Sequence, residues 1–213
     1  MKITIRYEQE KDFRRVEEVT REAFWNRFVP GCDEHYLAHI MRKHPDFIAS
    51  FSLVALYENE IIGSIMYTRS WLLDESNNRM ETLTFGPISV LPQFQRKGVG
   101  SELIVYSADM AAKNGEKAII IQGHPRDYCK HGFKCAKDYK ISDMDGRFPY
   151  SLLVLELQKG IFLGHTWRYC SSDVYHNINP EDAVEFDKQF EPKKKEYRHT
   201  QEEFSIASRA YLL

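Results

Sequence analysis

Between Phe51 and Leu91 the chain carries three runs rich in apolar, β-branched and aromatic residues, with only short polar breaks between them. Phe51–Tyr57 and Ile61–Leu72 flank Glu58-Asn59-Glu60, a hairpin-length loop. Asp74-Glu75-Ser76-Asn77-Asn78 is a polar turn ahead of Glu81–Leu91. Gaps this short admit no helix, so the runs pair as neighbouring strands. Inside the third run, Gly86-Pro87 removes a ladder hydrogen bond, and a bulge or a splayed edge is expected there. The pattern then changes. Ser101–Lys113 sets Leu103, Tyr106 and Met110 on one side of a helix that Asn114-Gly115 closes. Ala118–Ile121 is an unbroken apolar run, the signature of a buried, parallel strand. Strands and helices that interleave in this way belong to one α/β (α+β) domain.

The flanking segments extend this plan. Residues 2–7 alternate as a strand with Ile3 and Ile5 on one face. From Lys11 to Trp25, Phe13, Val16, Val19 and Ala23 form a helical stripe, and Pro30-Gly31 breaks the chain. A second helix is predicted over residues 33–44 with Leu37, Ile40 and Met41 inward, stopped by Pro45. A short helix is expected after Pro125 and a strand over 151–157. Beyond Gly160 the periodicity weakens, and only Asn179-Pro180-Glu181 marks a helix start. Residues 1–160 are therefore read as the domain. Residues 161–213 are read as a C-terminal extension packed on it, because Trp167, Tyr169, Phe186 and Phe190 call for burial.

Composition removes several functional classes. Lys plus Arg number 29 against 31 Asp plus Glu, a net charge of −2, which argues against electrostatic binding to nucleic acid or to an anionic membrane. The cysteines Cys32, Cys129, Cys135 and Cys170 are scattered, as reduced thiols of a cytoplasmic protein are. The N-terminus lacks the apolar run of a signal peptide, and no stretch approaches the ~20 apolar residues of a membrane span.

The chemistry concentrates in Ile88–Ser101, which leads from a strand to a helix through Gln95-Arg96-Lys97-Gly98-Val99-Gly100. Glycines at 98 and 100 let a ligand approach the backbone. Free N–H groups at a helix start form an anion site, with Arg96 and Lys97 adding positive charge. A pyrophosphate fits that description. Two other phosphate patterns are absent: there is no GxxxxGK followed by Ser or Thr, and Gly98-x-Gly100 is followed by Leu103 where GxGxxG needs glycine.

Gln95–Gly100 matches Q/R-x-x-G-x-G/A, the acetyl-CoA signature of the GNAT N-acetyltransferases, and here the chain resembles that family. The order of strands and helices over residues 2–158 resembles it too. Tyr128-x-x-x-Gly132-Phe133 is similar to a segment near the end of many GNAT domains, and Gly123-His124-Pro125 resembles the YhbS-like branch. The resemblance implies a mixed central sheet with splayed parallel strands and flanking helices. It implies acetyl-CoA as cosubstrate, and transfer of acetyl to a primary amine by direct attack. Ile88, Ser89 and Val90 would line the pantetheine arm, and Gln95, Arg96, Lys97, Gly98, Val99, Gly100 and Ser101 the pyrophosphate. Tyr128 would protonate the leaving thiolate, its phenol lying near a thiol in pKa. Some relatives carry a glutamate where this chain has Thr84, so the base falls to His124, Glu81 or Glu22, with His124 ahead. No metal is expected, because His124, Cys129, His131 and Cys135 lack the paired spacing of a zinc site. The alternative is a GNAT-fold sensor or scaffold that binds acyl-CoA with little turnover. The partner is an amine of small-molecule or peptide type, and the aromatic extension offers a surface for a homodimer.

Overall fold

The structure, a computed structural model, describes residues 1–213. The alternation near the N-terminus becomes β1 (Thr4–Tyr7). α1 (Phe13–Phe24) buries Val16 and Val19, the stripe legible in its spacing, and α2 (Glu34–Met41) buries Leu37, Ala38 and Met41. The three apolar runs are β2 (Leu53–Tyr57), β3 (Glu60–Leu73) and β4 (Arg79–Val90). α3 (Val99–Lys113) crosses over to β5 (Ala118–Gln122). Then come α4 (Pro125–Tyr128), β6 (Lys134–Cys135), β7 (Ile141–Ser142), β8 (Phe148–Pro149) and β9 (Leu152–Glu156). The chain ends with β10 (Trp167–Cys170), α5 (Pro180–Asp187), α6 (His199–Arg209) and β11 (Tyr211–Leu212).

The main sheet runs β1-β2-β3-β4-β5-β9-β6. Every neighbour along it is antiparallel except β4 and β5, which are parallel. β3 is long enough to serve two partners on one edge. Its first half pairs with β2, and Trp71–Leu73 pair with β10, which in turn carries β7. β10 escapes sequence reading because it is four residues long and alternates for only two buried positions, Trp167 and Tyr169. The extension therefore contributes a strand to the sheet itself.

Side-chain alternation assigns the two faces. Ser64 and Met66 of β3 point toward α1 and α2, whereas Tyr67 points to α3, where its hydroxyl lies 2.8 Å from Ser107 Oγ. The face that α3 buries differs from the predicted one. Leu103, Ile104, Ser107 and Ala111 are buried while Tyr106 is exposed, because the small residues at 107 and 111 let the helix sit close to the sheet. A second apolar cluster, including Leu72, Ile120, Leu152, Trp167 and Tyr169, fills the space under β10.

Candidate active site

β4 and β5 share a single register pair, Leu83 with Ile119, and then part. β5 continues on its other edge with β9 as far as Gln122, and β4 continues on its other edge with β3 as far as Val90. The β5-facing edge of β4 is thus open from Phe85 to Val90. Opposite Gly86-Pro87, whose peptide bond is cis, the pairing with β3 shifts between Ile65 and Tyr67, so the expected irregularity is present. Thr84 sits where the strands part. Its hydroxyl donates to Ile120 O at 2.8 Å and lies 2.6 Å from the Tyr169 hydroxyl, replacing a ladder bond with a side-chain link. That occupation accounts for a small, buried hydroxyl at 84. Tyr175, from the extension, donates to Gly86 O at 3.1 Å and receives Thr68 Oγ1 at 3.3 Å.

Ser89 turns its side chain away from the open edge. It is buried, with Oγ 3.0 Å from Thr20 Oγ1 and 2.8 Å from Ser64 Oγ, which pins α1 to β4. Ile88, Ser89 and Val90 therefore present backbone to the cleft. After Leu91, the Gln95 side chain donates back to Val90 O at 2.9 Å and closes the turn. Arg96 (φ 59°) and Gly98 (φ 91°) are left-handed. No backbone or side-chain acceptor takes the N–H groups of Arg96 to Ser101, and the first bond of α3 runs from Glu102 N to Gly98 O. Gly100 is helical, and a Cβ there meets only Val90 Cγ2 at 3.7 Å, so neither conformation nor packing within the chain demands glycine at that position.

Tyr128 sits at the far side of the opening. Gly123 makes room for it: a Cβ on Gly123 falls 2.3 Å from Tyr128 Cε2. The Tyr128 ring packs on Phe85 and Phe133 with centroids 5.8 and 5.9 Å away, and Gly132, left-handed at φ 90°, turns Phe133 into the core. The Tyr-x-x-x-Gly-Phe segment is thus a device for seating one phenol. Burial, reinforced by Asp127 and opposed by Arg27, pushes Tyr128 up to about 12, well above the match to a thiol expected from sequence. Its hydroxyl has no partner in the chain.

The base candidates fall in different places. His124 is exposed and caps α4, with Nδ1 accepting the Arg126 N–H at 3.3 Å, so it stands one turn before Tyr128. Glu81 is solvent-exposed near the start of β4, 3.2 Å from Arg69. Glu22 is paired with Lys193 at 2.7 Å. The extension grips the loop between α1 and α2, an arrangement that sequence reading missed. Lys194 O accepts from Trp25 Nε1 and Asn26 Nδ2, both at 3.0 Å, and Gln201 donates to Asn26 O at 3.0 Å. Asp187 accepts from the buried Arg21 at 2.7 Å and lies 3.1 Å from His35. These links join residues more than 150 positions apart, and no local pattern announces them.

The sequence profile of the Acetyltransferase (GNAT) family matches residues 13–133, more than half of the chain. The protein is a member of the GNAT family. It is 32% identical over 107 residues to the Uncharacterized N-acetyltransferase YjhQ of Escherichia coli K12, a match spanning 45% of this chain and 59% of YjhQ, under two thirds of that relative. Among solved structures, the GNAT family N-acetyltransferase YhbS of Escherichia coli in complex with CoA superposes with a TM-score of 0.70 at 20% identity, over 84% of this chain and 94% of that one. A GNAT acetyltransferase from Brucella melitensis in complex with acetyl-CoA gives 0.63 at 21% identity, over 82% and 98%. These likenesses establish the GNAT fold, with its mixed sheet and flanking helices. No helix is long and apolar enough to cross a membrane.

Proposed function

We propose that the protein transfers acetyl from acetyl-CoA to a primary amine by direct attack. The observation that carries this reading is the open β4 edge leading into a turn whose N–H groups have no acceptor. In this reading the N–H groups of Arg96 to Ser101 hold the pyrophosphate, with Arg96 and Lys97 adding charge. The pantetheine pairs with the backbone of Ile88, Ser89 and Val90, and the free N–H groups of that edge polarise the thioester carbonyl. The bare face of Gly100 leaves room for the phosphates. Solved relatives bound to CoA and acetyl-CoA support the choice of cosubstrate.

The amine nitrogen attacks the carbonyl carbon, the C–S bond breaks, and the sulfur takes a proton. Tyr128 suits the last step because a phenol held near 12 is fully protonated at neutral pH. The desolvation that raises the phenol raises a thiol in the same cleft in the same direction, which narrows the gap between them. His124 keeps Nε2 for a proton relay while Nδ1 caps α4. Residues 1–160 act as the transferase domain, and 161–213 complete its sheet and brace its acceptor loop. Tyr128→Phe is expected to lower kcat by roughly 10²–10⁴-fold with acetyl-CoA affinity unchanged. A thiol-release screen over primary amines, run beside calorimetry, tests this. An unchanged kcat refutes the acid role. Thr84, committed to Ile120 and Tyr169, favours a second reading as an acyl-CoA sensor. Binding of acetyl-CoA with no thiol release above the solution rate across the panel would select it.

A further inference from the structure

Glu34 is the acidic residue on an otherwise apolar helix face. With Leu37, Ala38 and Met41 it makes the i, i+3, i+4, i+7 row of α2. The three apolar members pack on Met66 of β3 and on Val174, with Tyr175 at the margin. Tyr175 is the residue bonded to Gly86 O at the opening of β4.

The direction of α2 locates Glu34 further. At the C-terminal end of α2, Arg42 pairs with Glu17 at 3.0 Å and also reaches Glu8 and the carbonyl of Phe13, near the start of α1. Just before α2, Cys32 Sγ lies 3.8 Å from Arg21 O, near the end of α1. The two helices are therefore antiparallel, and Glu34 lies beside the end of α1, past the Thr20 hydroxyl that touches Ser89 of β4. Tyr128 occupies the other face, since it packs on Phe85, which meets Tyr67 edge-on on the α3 side. The sheet beside β4 thus has a phenol on one face and, at the end of α1, a carboxyl on the other.

That carboxyl is unusual among its neighbours. Glu17 is held by Arg42 and His39, Asp12 by Arg6 and Asp187 by Arg21. Glu34 Oε2 is buried with no hydrogen-bond partner. The charged and titratable groups that act on it are Asp33 beside it, Arg27 on the preceding loop and the Cys32 thiol. Burial raises Glu34 to about 7; Asp33 adds to this, and Arg27 and nearby backbone N–H groups oppose it.

We propose that Glu34 is the group that receives the acceptor: its carboxylate holds the incoming ammonium and takes the proton that nitrogen must lose before it attacks. The inference rests on the acetyl-transfer reading above. One ammonium proton passes to Glu34 Oε2 and later to solvent. A second leaves nitrogen for solvent as the C–N bond forms and the C–S bond breaks, and the Tyr128 phenol, having given its proton to sulfur, takes one back from solvent. The substrate class this selects is an amine that is cationic in solution.

The test compares the wild-type chain with Glu34→Gln, Glu34→Asp and His124→Ala, using benzylamine as probe because Phe24 and Phe28 line the same loop. The first readout is the ¹³C resonance of the Glu34 carboxyl in the full chain saturated with CoA, followed against pH. A midpoint of about 7 that falls when benzylamine is added supports the proposal. A midpoint at the ordinary ~4.3, or one that benzylamine does not move, overturns it. The second readout is kcat/KM against pH. Wild type should rise through about 7. Glu34→Gln should lose that rise and roughly 10²-fold in kcat, and Glu34→Asp should restore part of it. Persistence of the rise in Glu34→Gln with its loss in His124→Ala assigns the proton to His124 and overturns the proposal. Calorimetry with acetyl-CoA separates the two levels: Glu34→Gln should bind it as wild type does, whereas failure of wild type to bind sinks the transfer reading itself.

Discussion

Gly123→Ala tests whether the Tyr128 seat is a packing constraint. The new Cβ falls 2.3 Å from Cε2, 2.8 Å from Cδ2 and 3.2 Å from Cζ of the ring. Normal carbon contact begins at ~3.5 Å, so the ring must retreat by more than ~1 Å. It has little space to do so, because Phe85 and Phe133 stand behind it with centroids 5.8 and 5.9 Å away and Phe133 is fully buried. Overpacking of this kind costs about 1–3 kcal/mol. For a chain of this length that lowers the melting temperature by about 4–8 °C at the middle of the range. A ~1 Å displacement of a catalytic group costs about 10²-fold in rate. The expected pattern is lower Tm, lower kcat and unchanged acetyl-CoA affinity, read by calorimetry and thiol release. The control is the cycle with Tyr128→Ala. In that background the methyl has no ring to meet, so Gly123→Ala should cost almost nothing, leaving a coupling of about 1–3 kcal/mol. Equal losses with and without the ring refute the packing argument.

Gly98→Val places a β-branched residue at φ 91°, where no side chain is obstructed but the backbone is strained, so acetyl-CoA affinity should fall roughly 10-fold by calorimetry with a stability loss of about 1–2 kcal/mol. Asp187→Ala leaves the Arg21 guanidinium buried without its carboxylate, which should cost about 3 kcal/mol and release the extension from α1, visible as faster proteolysis after residue 160 and a Tm lower by about 6–12 °C. Glu34 works against folding once ionised. A carboxyl held at about 7 rather than 4.5 binds its proton more tightly in the folded state, so stability falls as pH rises between those values, by roughly 3 kcal/mol in all. Glu34→Gln removes that dependence, and its advantage in Tm over wild type should be absent at pH ~4 and full at pH ~8. A constant difference across that range refutes the burial of Glu34.

What was legible in the sequence is what depends on neighbours along the chain. The turn at Gln95–Gly100 is written in two glycines and a strand-to-helix change of period, and Gly98 is indeed left-handed. The Tyr128–Phe133 segment folds on itself through Gly132, so its motif could be read before its surroundings were known. The irregularity at Gly86-Pro87 followed from the missing donor of proline. The rest was decided by contacts between distant segments. Where β4 parts from β5, the Thr84 hydroxyl bonds to Ile120 and lies against Tyr169, 85 residues away. Four residues at Trp167–Cys170 become a strand because the end of β3 outruns β2 and offers an unpaired edge. Tyr106 looked inward by periodicity, yet Ser107 and Ala111 set the depth of α3 against Tyr67. Glu34 carried no signal at all in one dimension: a glutamate in the first turn of a helix is an ordinary residue, favoured there by the dipole. Only when α1 and α2 pair antiparallel and that turn lies beside the end of α1 does one of its carboxyl oxygens, Oε2, lose water without gaining a partner, and burial is a property that tertiary structure alone can confer.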